Sequence, residues 1–101
     1  MTKKMPTAIY NGDVIAKTDE YQKSDDNVYF PPGSVNKKRL KKSKYSSTCF
    51  WKGRAIYYDV ISDGRVIQNA AWQYKKTEPN ATHLKKHFAF NKQLIEVQEN
   101  E

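Results

Sequence analysis

Two short residue pairs constrain the fold of this chain more than any other feature. In "IYNGDVIA", Asn11-Gly12 separates two apolar runs, and in "VISDGRVI", Asp63-Gly64 does the same. Loops of this kind supply the positive φ that a tight hairpin turn demands. "FAFNKQLIEV" carries Asn91-Lys92, a weaker form of the signal. Three antiparallel hairpins are therefore expected. Seven tyrosines and two tryptophans also favour strands over helices. "NVYFPPGSV" reads as a short strand that stops at Pro31-Pro32, because proline cannot donate to a ladder. "YSSTCF" reads as another short strand. Only 78–87 reads as a helix, with Thr77 as cap, Pro79 in the first turn, and Ala81, Leu84 and Phe88 on one face. The expected class is mainly β: compact antiparallel hairpins forming two small sheets, with one short C-terminal helix.

A length of 101 residues suits a single domain, 1–101, with the last residues, 98–101, as a flexible tail. One cysteine excludes an internal disulfide and the Cys-rich zinc sites, and fits a reducing compartment. The N-terminal residues lack the apolar run of a signal peptide, and no stretch approaches the ~20 apolar residues that span a bilayer. A cytoplasmic protein without membrane attachment is expected. The "NAT" at Asn80 is then an accidental sequon.

The net charge is +7, and Lys37, Lys38, Arg39, Lys41, Lys42 and Lys44 carry six positive charges in one run. This run, 37–44, is expected to be a basic loop. Such a loop attracts phosphates, nucleic acid, acidic lipid or acidic protein, or serves only as a solvated surface. If it neutralised about five or six phosphates, a log–log salt slope near −4 to −5 would follow.

A two-residue loop at Asp63-Gly64 fixes the register of the central hairpin. Continued outward without interruption, it sets Asp59 against Gln68, Tyr57 against Ala70 and Ala55 against Trp72 on one face. Ile56, Tyr58 and Val60 lie on the other face, with Ala71, Asn69 and Ile67 opposite. Large rings beside small side chains on the first face suggest either a hollow or ordinary interdigitated packing. Trp51 and Lys52, on the turn before Gly53, would supply a wall and a cation to such a hollow.

"TCFWKGRAIYYDV", "NAAWQY" and "VYFPP" resemble the motifs of the domain-of-unknown-function family numbered 427, labelled a nucleotidyltransferase domain in some classifications. The resemblance runs from the Asn11-Gly12 hairpin to the "FAF" of 88–90. It implies a compact β domain, related to the tent-like pair of antiparallel sheets in the ligand-binding domain of cereblon. That relative holds its ligand in an aromatic cage and carries a zinc site of four cysteines, which the single cysteine here cannot reproduce. Two prolines usual in the family are replaced by Phe50 and Lys75. The positions that carry over are Tyr29, Cys49, Trp51, Lys52, Gly53, Tyr57, Asn69, Trp72 and Tyr74.

Other chemistries have less to build on. Cys49 as a nucleophile needs a base, and the two histidines, His83 and His87, lie far along the chain. Their i, i+4 spacing suits a metal only with a third ligand, and none can be named, so no metal site and no cofactor are expected. Nucleotidyl transfer needs acids that hold magnesium. Asp13, Asp19, Asp25, Asp26, Asp59 and Asp63 are available, but they form no paired motif. Lys52 could contact an anion or act as an amine nucleophile.

The function expected from the residues is therefore that of a binding module. A small planar or anionic ligand would sit in a pocket lined by Trp51, Lys52, Tyr57, Asn69, Trp72, Tyr29, Tyr74 and Cys49. The alternatives are a phosphate or nucleic-acid surface on Lys37, Lys38, Arg39, Lys41, Lys42 and Lys44, or an enzyme acting on a nucleotide-like substrate.

Overall fold

A computed structural model describes residues 5–99. β1 (Thr7–Tyr10) and β2 (Asp13–Lys17) form the first expected hairpin, with Asn11 and Gly12 at φ 51° and 87°. β3 (Gln22–Ser24) and β4 (Asn27–Tyr29) form a hairpin that the sequence did not announce. Its turn is Asp25-Asp26, with both φ values positive at 52° and 67°. Aspartate tolerates this conformation, but two carboxylates are a fainter signal than Asn-Gly. Then come β5 (Leu40–Cys49), β6 (Gly53–Ser62), β7 (Arg65–Thr77), β8 (Phe88–Phe90) and β9 (Glu96–Gln98).

The strands form three sheets rather than two: β2-β1-β9, β3-β4 and β5-β6-β7-β8. β4 reaches the large sheet through one bridge, Phe30 to Phe88, and Pro31 then ends the pairing. The β3–β4 ribbon therefore stays separate. The third expected hairpin does not form either. The Asn91 carbonyl accepts the N–H groups of Leu94 and Ile95, and β9 crosses to pair with β1. Gln98 thus belongs to a strand, and residues 100–101 of the expected tail lie outside the described residues.

The expected helix is a 3-10 segment, Pro79–Leu84, interrupted at Ala81 (φ −123°, ψ 20°). Tertiary contacts override the helical pattern here. The Lys86 N–H donates to the Tyr74 carbonyl and pulls the chain back to β7, with Lys86 itself at φ 66°. Ala81 and Leu84 are buried below the large sheet, while Phe88 goes to its opposite face. The basic run is not a loop. Lys37–Arg39 is a 3-10 turn capped by the Asn36 side chain, and Lys41, Lys42 and Lys44 belong to β5, an edge strand.

A core lies on each face of the large sheet. Val60, Ala71, Phe88 and Phe90 pack with Ala8, Ile15, Val28 and Phe30 on one side. Ala55, Tyr74 and Ala89 pack with Tyr29, Ala81 and Leu84 on the other. Tyr29, the last residue of β4, and Phe30, which follows it, feed the two cores, because side chains alternate along an extended chain.

Candidate functional site

Two clusters of polar chemistry flank β6. The first centres on Lys52, on the turn Phe50–Lys52 that links β5 to β6. Gly53, at φ 120°, makes the turn possible: a Cβ there would stand 2.7 Å from the Lys76 carbonyl oxygen. Phe50 projects into solvent at 92% exposure, whereas Lys52 turns inward and is only 4% exposed. Its ammonium lies 5.0 Å from the Trp51 ring centroid, 5.5 Å from Tyr29 and 6.0 Å from Tyr74, which suits cation–π attraction. It donates to the Tyr29 hydroxyl at 3.4 Å, and that hydroxyl also accepts the Trp72 indole N–H at 3.2 Å. Outside, the ammonium is paired with the Asp25 carboxylate on the β3–β4 turn.

Burial of Lys52 works to push its ammonium pKa down. The hydrogen bond it donates to Asp25 and the nearby Tyr29 outweigh that, so the group is held above its ordinary value of 10.5. An ammonium held this firmly is a poor amine nucleophile. It is also not at an open mouth, as the sequence suggested. The space between the Trp51 and Trp72 indoles is taken up by Lys52 and the Tyr29 hydroxyl.

The register explains the rest of the difference. Ser62↔Arg65, Ile61↔Val66 and Val60↔Ile67 pair as expected, but Tyr58 then faces Ala71 and Tyr57 faces Trp72. β7 carries two extra residues in a bulge at 68–70, so the pairs from Tyr58↔Ala71 to Ala55↔Tyr74 slip by two. Tyr57 meets the Trp72 ring, at 6.0 Å between centroids, instead of Ala70. The large-beside-small hollow is replaced by ring against ring.

The second cluster arises from the same bulge. β5 also carries two extra residues, between Lys42 and Ser46. The two bulges face each other across Tyr57–Asp59 of β6 and are tied together. The Ser43 hydroxyl donates to the Asn69 side-chain oxygen, the Asn69 N–H donates to Asp59 Oδ1 at 2.9 Å, and the Tyr45 N–H donates to Ser43 Oγ at 3.1 Å. Asn69 sits at φ 55°, a conformation asparagine accepts and β-branched residues resist. Bulges re-aim side chains at sheet edges, and these two open a cleft of about 420 Å³ lined by Lys41, Lys42, Ser43, Lys44, Tyr45, Asp59, Gln68 and Asn69. The three lysines have no ion-pair partner among the described residues. Tyr45 is half exposed and packs edge-on against Tyr57 at 4.8 Å, leaving a ring beside the cations.

The expected site residues are thus divided. Tyr29, Trp51, Lys52, Tyr57, Trp72 and Tyr74 come together, with Cys49 packed half-buried against them. Asn69 belongs to the cleft instead. The basic run is split as well: Arg39 pairs with Asp13 at 3.7 Å, and Lys37 borders a separate hollow with Leu40, Tyr58, Gln73, Lys75 and Phe88. Ser43 and Tyr45 were not singled out from the sequence, because a bulge leaves no mark in an alternating pattern. No hydrogen bond joins Cys49 to His83 or His87 among the described residues, and the two histidines share no helix face. No group of three or more His, Cys, Asp or Glu gathers among the described residues.

The fold and its clusters define a small antiparallel β domain with a closed cationic nest and an open cationic cleft. The family model for the domain of unknown function DUF427, labelled NTP_transf_9, matches residues 2–101. The chain belongs to this family along its whole length. Comparison with curated proteins finds no match. Among the described residues no helix is long and apolar enough to cross a membrane.

Proposed function

We propose that the protein is a binding module for a small phosphate-bearing ligand with an aromatic ring, such as a nucleotide, held in the cleft between the β5 and β7 bulges. The observation that carries this reading is the pair of facing bulges stitched by Ser43, Asn69 and Asp59. Paired bulges tied across a central strand hold a shaped opening, whereas an uninterrupted ladder would close it. Lys41, Lys42 and Lys44 supply unneutralised charge for phosphate oxygens. Tyr45 offers a face for a planar ring, and Gln68 and the free oxygen of Asp59 can meet hydroxyl or amino groups of the ligand. The ligand class joins the planar and anionic features expected from the sequence, but at the cleft rather than between the tryptophans.

Calorimetric titration with adenosine monophosphate, adenosine and inorganic phosphate tests this. The nucleotide is expected to bind more tightly than either part, and a Lys42→Ala, Lys44→Ala variant to lose at least tenfold in affinity. Equal weak binding of all polyanions, unchanged in that variant, would reject the reading. A single-stranded oligonucleotide separates the alternative: three cleft lysines predict a log–log salt slope near −2, and a slope near −4 would instead engage the whole basic run.

A further inference from the structure

We propose that Lys52 is a second, latched anion site, in which the Asp25 carboxylate occupies the place that the carboxylate of a small planar acid takes when the Asp25-Asp26 turn swings away. The inner side of the Lys52 ammonium is fixed by the Trp51, Tyr29 and Tyr74 rings and by the Tyr29 hydroxyl. Its outer side is met by Asp25 alone among the described residues. The partners differ sharply in setting: the Lys52 side chain is 5% exposed and that of Asp25 is 59% exposed. A buried cation with a solvated, loop-borne counter-ion is not a sealed structural pair. Releasing Asp25 to water costs little desolvation, while the ammonium stays in place and needs another anion.

The latch itself is light. β3 and β4 have three residues each and pair only with one another as strands. The Lys92 ammonium donates to the Asp26 carbonyl oxygen, on the other half of the same turn. Val28 and Tyr29 anchor β4 in the two cores, so the part with little stability of its own is the exposed turn end of the ribbon, 24–27. Trp51 is half-buried beside the ammonium, and its ring would flank a planar acid bound there. Asp25 acts as a tethered competitor, so its removal raises the apparent affinity for a free carboxylate by the factor that the latch now takes away.

Benzoate is the probe, and the two indoles, Trp51 and Trp72, report its arrival by fluorescence. Asp25→Asn should bind benzoate at least tenfold more tightly than the parent protein, and Lys52→Met in that background should abolish the signal. In the parent protein, saturating benzoate should speed hydrogen exchange of the 24–27 amides. This second measurement holds even if Asp25→Asn does not fold. The proposal is overturned if folded Asp25→Asn shows no gain, or if the 24–27 amides are unmoved by benzoate. Neither outcome touches the cleft, which the nucleotide titrations test separately through Lys42 and Lys44.

Discussion

Lys52 and the lysines of the β5 bulge lie on one hairpin, yet the fold treats them in opposite ways. Lys52 is withdrawn from water, surrounded by rings and given a carboxylate. Lys41, Lys42 and Lys44 stay exposed, close to one another and unneutralised. Burial of an ammonium is tolerated only with a partner, so Lys52 is built into the stability of the domain. Crowding of solvated ammoniums contributes nothing to the fold. The contrast separates a cation whose anion the chain itself supplies from cations that meet a ligand without any movement of the chain.

Substitutions in the nest should therefore damage the fold, and those in the cleft should damage binding. The largest effect is expected at Gly53→Ala. The positive φ and the 2.7 Å approach to the Lys76 carbonyl oxygen act together, and the loss should be on the order of 3 kcal/mol. Chemical denaturation measures it. A loss below 1 kcal/mol would show that the β5–β6 turn relaxes easily and that the nest is not rigidly set. Next comes Lys52→Ala, which leaves a gap among three rings and should cost about 2 kcal/mol. Lys52→Met keeps most of the volume and should recover more than half of that loss. If Met were as damaging as Ala, charge rather than packing would dominate the cluster.

The cleft makes its own stability prediction, smaller in size. Asn69→Val places a β-branched residue at φ 55° and removes the acceptor for Ser43, for an expected loss of roughly 1–2 kcal/mol. Asn69→Gly keeps the backbone and should lose less than 1 kcal/mol. Both should weaken nucleotide binding, because both cut the tie between the bulges. Unchanged binding in Asn69→Gly would show that the cleft keeps its shape without that tie.

How much of this could be read in advance differs between the two regions. The turns at Asn11-Gly12 and Asp63-Gly64, the stop at Pro31 and the strand before Cys49 were legible, since each rests on local backbone chemistry. The aromatic cluster was legible as a set of residues but not as an arrangement. Its register depends on a bulge at 68–70 that "VIQNAAW" does not announce, except through an asparagine able to take positive φ. The matching bulge in β5 hides inside "KKSKY", where charge suggested a loop. The helix at 78–87 failed for a different reason. Its apolar spacing is real, but Ala81 and Leu84 fall three apart and serve a 3-10 turn as well as a helix. The pairing of Asp25 with Lys52 joins residues 27 apart through a hairpin turn, and no local pattern specifies it.

The least disruptive way to sharpen the comparison is alkaline titration, which needs no change of side chain. Burial pushes the Tyr74 hydroxyl well above its ordinary 10.0, with further upward pushes from Tyr29, Cys49 and Tyr57, and burial raises Tyr58 as well. Lys52 is likewise held above 10.5. A group whose folded pKa exceeds its unfolded value binds its proton more tightly in the native state. Stability from such a group is complete below the unfolded value and declines as pH rises from there toward the folded value. The melting temperature should therefore hold between pH 8 and 9.5 and fall from about pH 10 upward. Tyr74→Phe removes one of these groups, so its decline above pH 10 should be shallower than that of the parent, and Lys52→Met should flatten it further. Because both residues belong to the closed nest and Tyr58 does not, the difference between each variant's alkaline limb and the parent's reports on that cluster. If Tyr74→Phe lost stability with pH as steeply as the parent, the phenol would not be buried in solution, and the closed description of the nest would have to be given up.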